Sequence, residues 1–270
     1  MLKKIATRVD PKFAKNDYDP SYILALVLDV GEEMILVGAE VSRVEDSMSR
    51  MLEAYGYHKI NVFCISEYVS ISFMDTQGKT FTQSRRVFGS TNDFLRFEEL
   101  NSISRTVSAT KPTVKEFWEM LEKNTPNSYA QTIPMQIFAY FTGGFGFCLF
   151  FNGTLGDSVA AGLAALVLMV ASKFSKIQNS NKMVYAAFAA FLGGWSALIL
   201  YHFGLGVHLD KIMISDIMLL VPGMALTISI RDMLTGDIIA GLLRFLEAIM
   251  VAGALAIGYA IPIYIWGGMV

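Results

Sequence analysis

Pro222, Gly223, Thr227 and Asp216 are the residues whose types could handle a small solute, because they stand inside otherwise membrane-grade sequence. Proline removes an amide donor and glycine lets the backbone unwind, so carbonyls and helix ends are freed at mid-membrane, where transporters place small-molecule sites. Thr227 and Ser229 add hydroxyls. Asp216 falls about one turn into the predicted outer end of the same segment, where it faces a vestibule or simply reaches water. Proline also kinks membrane helices with no ligand involved, so a purely structural role for Pro222 stands beside the functional one. Arg231, Asp232, Asp237, Arg244 and Glu247 follow closely. Charges next to lipid are costly and usually face a pathway, a cavity or another protein surface, which makes these five candidates for gating or coupling.

A second cluster, Gly38, Glu40, Arg43, Glu45 and Asp46 with Arg50, lies far upstream. It could form an acid/base or ligand site. Glu40/Arg43 and Asp46/Arg50 are also spaced as ordinary helix-surface ion pairs, and a solvated face is the blander reading. This half has no Ser-His-Asp order, no glycine-rich phosphate loop and no paired histidines. Its one histidine, His58, reads as exposed in a turn. Two cysteines, Cys64 and Cys148, allow neither a disulfide framework nor a metal-ligand spacing, so no cofactor or metal is expected.

The elements that must carry these residues divide the chain. Its 270 residues are 53% apolar with a mean hydropathy of +0.45, too apolar for an ordinary soluble domain. Only 6 of the 22 Lys and Arg lie after Pro134. Residues 1–20 read as a polar lead, 21–130 as a soluble α+β domain, and 131–270 as a membrane domain. A net charge of -2 with no long basic block gives no case for nucleic acid. The basic start lacks the apolar run of a signal peptide, which predicts a cytoplasmic amino terminus.

In the soluble part, apolar positions from Ile23 to Met51 recur at steps of three or four, predicting one helix from Ser21, its cap, to about Tyr55. Asp29, Glu32 and Glu33 join the charged cluster on its solvated side. Lys59 to Ile65, Tyr68 to Met74 and Thr80 to Val87 alternate as strands of a meander. Thr91 or Asn92 caps a helix to about Ala109, and Thr113 opens a shorter one to about Lys123.

Beyond Ile133, five apolar segments follow: Ile133 to Phe151, Asp157 to Ser172, Met183 to Phe203, Ile212 to Ile230, and one ending near Trp266. Lys173, Lys176 and Lys182 between the second and third, and Arg231 after the fourth, place those ends in the cytoplasm, and Val270 outside. Small residues in the first three segments suit close helix packing. His202 and His208 read as interfacial. The last segment is longer than the roughly 20 residues a span needs, so two layouts remain. Arg244 and Glu247 are either a buried pair serving a proton or anion step, or an interfacial pair, the less costly arrangement.

Gly38 to Asp46 (GAEVSRVED) with Tyr55-Gly56, and Val221 to Glu247 (VPGMALTISIRDMLTGDIIAGLLRFLE), resemble the threonine/serine exporter family of bacterial membrane proteins. The resemblance covers nearly the whole chain. It implies an α-helical membrane protein with five transmembrane helices behind a cytosolic α+β domain, in the bacterial inner membrane. It also implies efflux of threonine, serine or, as in some relatives, a small dicarboxylate, driven by an ion gradient, expected to be protons. The family pattern marks Gly38, Glu40, Arg43, Glu45, Asp46, Pro222, Gly223, Arg231, Asp232, Gly236, Asp237, Gly241, Arg244 and Glu247, without giving any of them a chemical role. Larger members carry a second, smaller membrane unit, so a separate small membrane subunit is the expected partner, or else a homo-oligomer. The competing reading is a membrane-anchored enzyme or sensor working through the soluble domain. A tether, however, needs one span.

Overall fold

The computed structural model describes residues 12, 14, 16–89, 93–123, 132–173 and 181–267. The chain forms two compact units, Met1–Asn127 with Thr227–Arg244, and Ser128–Leu226 with Phe245–Val270. The unit that begins the chain therefore takes in a late segment.

In that unit α1 (Pro20–Leu36) and α2 (Val41–Ala54) replace the single helix expected from Ser21. Asp19, not Ser21, is the cap: its carboxylate accepts from the Ser21 N–H at 3.0 Å, and Pro20 takes the first turn, where no amide donor is needed. The break follows from Gly38, whose φ of 90° is left-handed. The Ala39 N–H then reaches back to the Met34 carbonyl at 2.9 Å and closes the helix end. Periodicity could not reveal this, because α1 is buried on all sides and its apolar rhythm runs straight on into α2.

Burial of α1 also corrects the solvated face. Asp29, Glu32 and Glu33 are buried. Arg85 pairs with Asp29 and, at 3.5 Å, with Glu32, and it donates to the Ala25 carbonyl at 3.1 Å. Arg96 binds Glu33 and, at 2.8 Å, Glu99. Charges on α1 stay inside because cations on other elements meet them.

β1 (His58–Ile65), β2 (Tyr68–Met74) and β3 (Thr80–Arg86) form an antiparallel sheet in that order, as the alternation predicts. Asp75 accepts from the Gln77 and Lys79 N–H groups at 2.9 and 2.8 Å and folds the second turn. Val69, Ile71 and Phe73 point one way into the core with Val27, Met48 and Leu100. α3 (Phe94–Thr110) is capped by Asp93 through the Arg96 N–H. Thr91 and Asn92, expected to cap it, lie outside the described residues, as do Lys176 and most of the polar lead. α4 (Val114–Lys123) opens, as expected, at Thr113, whose hydroxyl accepts from the Glu116 N–H at 3.3 Å.

The second unit holds α5 (Ile133–Phe150), α6 (Leu155–Ser172), α7 (Lys182–His202), α8 (Leu209–Leu220), the start of α9 (Gly223–Thr235) and most of α10 (Ile238–Gly267). Four of these, α5, α6, α7 and α10, are long and apolar enough to cross a membrane. α8 and α9 meet at an angle of 53° and make a fifth crossing if counted as one span. Small residues bring helices together: a Cβ on Gly144 would stand 2.6 Å from the Ala161 carbonyl of α6, and one on Gly258 would collide with the Ala187 carbonyl of α7.

Candidate functional site

The fourth apolar segment breaks where its sequence says it must. Val221 accepts the last turn of α8 by donating to the Ile217 carbonyl at 2.9 Å, Pro222 brings no N–H, and α9 starts at Gly223. Two short helices thus end at Val221 and Pro222 inside apolar sequence, with Pro222 half-buried and Gly223 exposed. Thr227, one turn along α9, is exposed as well.

Asp216 does not reach water. It is 0% exposed, and neither carboxyl oxygen has a hydrogen-bond partner. Within electrostatic reach of it lies the Tyr259 hydroxyl of α10, also buried and also without a hydrogen-bond partner. The glycine pair of α7 makes room for that ring: a Cβ on Gly193 would sit 2.6 Å from the Tyr259 hydroxyl, and one on Gly194 would sit 3.2 Å from the ring. Tyr259 escaped the sequence reading. Its one signal is the match of a large polar-tipped residue in one apolar helix to two adjacent glycines in another.

The charges after the break separate. Within the first unit Arg231 pairs with Glu40 at 2.7 Å, and Arg244 with Asp232 at 3.0 Å. Arg244 also donates to the Ala39 carbonyl at 3.4 Å. The Asp232 pair is buried, whereas Arg231 is exposed. Thus Gly38, which turns the chain between α1 and α2, sets Ala39 and Glu40 to receive the late segment. Asp237 stands within electrostatic reach of Glu45. Glu247, in the second unit, pairs with Lys182 at 2.5 Å. Arg244 and Glu247 therefore form no pair with each other, neither buried nor interfacial. Three residues apart on one helix, each has a closer partner elsewhere.

The upstream cluster is likewise divided. Arg43 lies over the Phe97 ring at 5.0 Å rather than on Glu40, while Asp46 and Arg50 form the expected surface pair at 2.9 Å. Arg43, Asp46 and Arg50 line an open groove of about 420 Å³ together with Asn101 and Arg105 of α3. Glu45 accepts from the Cys64 N–H at 2.7 Å. Burial pushes the Glu45 carboxyl up, opposed by that hydrogen bond. Burial also drives the Cys64 thiol up, the reverse of what a nucleophilic cysteine needs. Among the described residues no group of His, Cys, Asp and Glu could hold a metal ion. His208 is more than interfacial: its Nδ1 lies 2.9 Å from Asp157, which also accepts from the Val207 and His208 N–H groups at 2.6 and 2.9 Å.

Residues 25–266 match the family model described as "Putative threonine/serine exporter". A threonine/serine exporter of Corynebacterium glutamicum is 22% identical over 250 residues, covering 89% of this chain and 50% of the relative. The chain thus spans about half the length of that curated relative. No solved structure matches. Running from α1 to the end of α10 and through the bent pair between them, the match shows that the chain belongs to the threonine/serine exporter family.

Proposed function

We propose that the chain is a subunit of a secondary transporter that exports small amino acids of the threonine or serine type, or small carboxylates, at the expense of the proton gradient. The observation that carries this reading is the 53° break at Pro222, which leaves two helix ends in apolar sequence two turns from a dehydrated carboxyl. Pro222, Gly223, Thr227 and Asp216 line the path. Arg231, Asp232, Asp237, Arg244 and Glu247 gate or couple it, with Glu40 receiving Arg231 and the Ala39 carbonyl receiving Arg244. The first unit faces the cytoplasm in a bacterial inner membrane, and the chain ends outside. A separate small membrane subunit is the partner in this reading, with a homo-oligomer as the fallback. An enzyme or sensor on a membrane tether is the weaker reading, since one span would serve it.

Flux of labelled threonine, serine and succinate into proteoliposomes, with and without a pH gradient, tests the proposal and selects the substrate. Gradient-dependent movement that falls in Glu247→Gln is expected. Turnover of a small molecule by the soluble half, with no flux through the full chain, overturns transport. Pro222→Ala is expected to lower flux more than folded yield, and equal losses would make the proline only structural.

A further inference from the structure

We infer that Asp216, sealed within the second unit with no hydrogen-bond partner on either carboxyl oxygen among the described residues, is the group that binds and releases the coupling proton; this deepens the transport reading and rests on it. An ionised carboxylate taken wholly out of water with nothing bonded to it is among the most costly arrangements a helical bundle can hold. The neutral acid is far cheaper there, and its O–H can donate to a phenol oxygen. Among the described residues Asp216 is fully buried with both oxygens unpartnered, and the Tyr259 hydroxyl within its electrostatic reach is buried and unpartnered as well.

Among the described residues no cation relieves the charge. α8 packs against α5, α6 and α7, and the charged groups that these helices and α10 bring to the second unit are engaged elsewhere. Asp157 holds Thr154 and His208, Lys182 holds Glu247, and Lys211 on α8 itself lies 3.7 Å from Asp210. The His202 ring packs on Trp266. Ser215, the neighbour of Asp216, spends its hydroxyl on the Lys211 carbonyl at 2.5 Å. Among the described residues Tyr259 is a titratable group within electrostatic reach of the carboxyl.

The step is a proton exchange with no other chemistry. The carboxylate gains one proton from the more acidic side and becomes neutral, the closed bundle tolerates it, and the same proton leaves on the opposite side as the carboxylate is rehydrated. Tyr259 keeps its own proton throughout.

Proteoliposomes with the full chain and labelled threonine separate the outcomes. Asp216→Asn is expected to lose transport driven by a pH gradient, and Asp216→Glu, which restores a titratable carboxyl, to recover part of it. Retained driven transport in Asp216→Asn overturns the inference. So does loss of exchange together with threonine binding in a folded Asp216→Asn protein, which would make the carboxylate a ligand for the substrate ammonium. Infrared spectroscopy gives a readout independent of flux. A protonated-carboxyl stretch present at neutral pH in the wild type should vanish in Asp216→Asn, and its absence from the wild type overturns the assignment. If Asp216→Asn does not fold, Asp216→Glu carries the infrared test, since a protonated-carboxyl band unmoved by that substitution would belong to another acid and overturn the assignment. If the wild type moves no threonine in either mode but shows the band, transport of this substrate fails while the buried acid stands.

Discussion

Arg85 holds Asp29 and Glu32 in the core of the first unit with 4% of its own side chain exposed. Replacing it with methionine removes the cation and leaves the carboxylates inside, at an expected cost of about 3–5 kcal/mol. Thermal unfolding in detergent should show a large loss, partly recovered when Asp29→Asn and Glu32→Gln are added. Glu45 behaves in the opposite sense. Burial raises its folded pKa above the unfolded value, so its contribution to stability is full below the unfolded pKa and is lost as pH rises through the folded one. Glu45→Gln keeps an acceptor for the Cys64 N–H, so it should be more stable than the wild type at neutral pH and equal to it in acid. A wild type that stays ahead at neutral pH would mean that the charge is favourable. Residue types at these positions were plain in the sequence, but their partners were not. Asp29 and Arg85 lie 56 residues apart, and helix-face spacing sees only three or four.

Elements whose pattern is local came through the sequence nearly intact. The three strands alternate, and α5, α6 and α7 begin and end within about two residues of the apolar segments that announce them. The break at Pro222 was legible because a missing N–H is a property of one residue. The break at Gly38 was not, because a buried helix followed by an amphipathic one preserves the period that would have betrayed it. Closeness between helices is a further element-scale property, and it yields a test. Gly258 of α10 faces the Ala187 carbonyl, an atom that cannot swing aside, so Gly258→Leu should force α7 and α10 apart. An overpacking cost of about 1–3 kcal/mol or more is expected, read as reduced folded yield and a lower unfolding temperature. Gly253 has open space around its position, and Gly253→Ala should be neutral in the same assay.

At the scale of the whole molecule, composition separated soluble-like from membrane-like sequence near residue 131 and could not show that residues 227–244 return to the first unit. Arg231 and Arg244 read as membrane-flanking charges until Glu40 and the Ala39 carbonyl are placed beside them. The segment also contributes Ala240 to the first unit's core. A fragment of residues 1–127 should therefore unfold at lower temperature than the same unit within the full chain, and Arg244→Met in the full chain should move that transition part of the way down. A fragment as stable as the intact unit would show that the late segment is a passenger. The return also imposes an order on synthesis. Arg244 and Ala39 are 205 residues apart, so while the ribosome is still making α5 to α8 the first unit waits with the turn at Gly38 to Glu40 uncovered. It can close only after the bent pair and the start of the next helix have been made. Maturation of the first unit thus waits for the late segment, and protease resistance of residues 16–123 should appear late in translation, after Arg244 emerges.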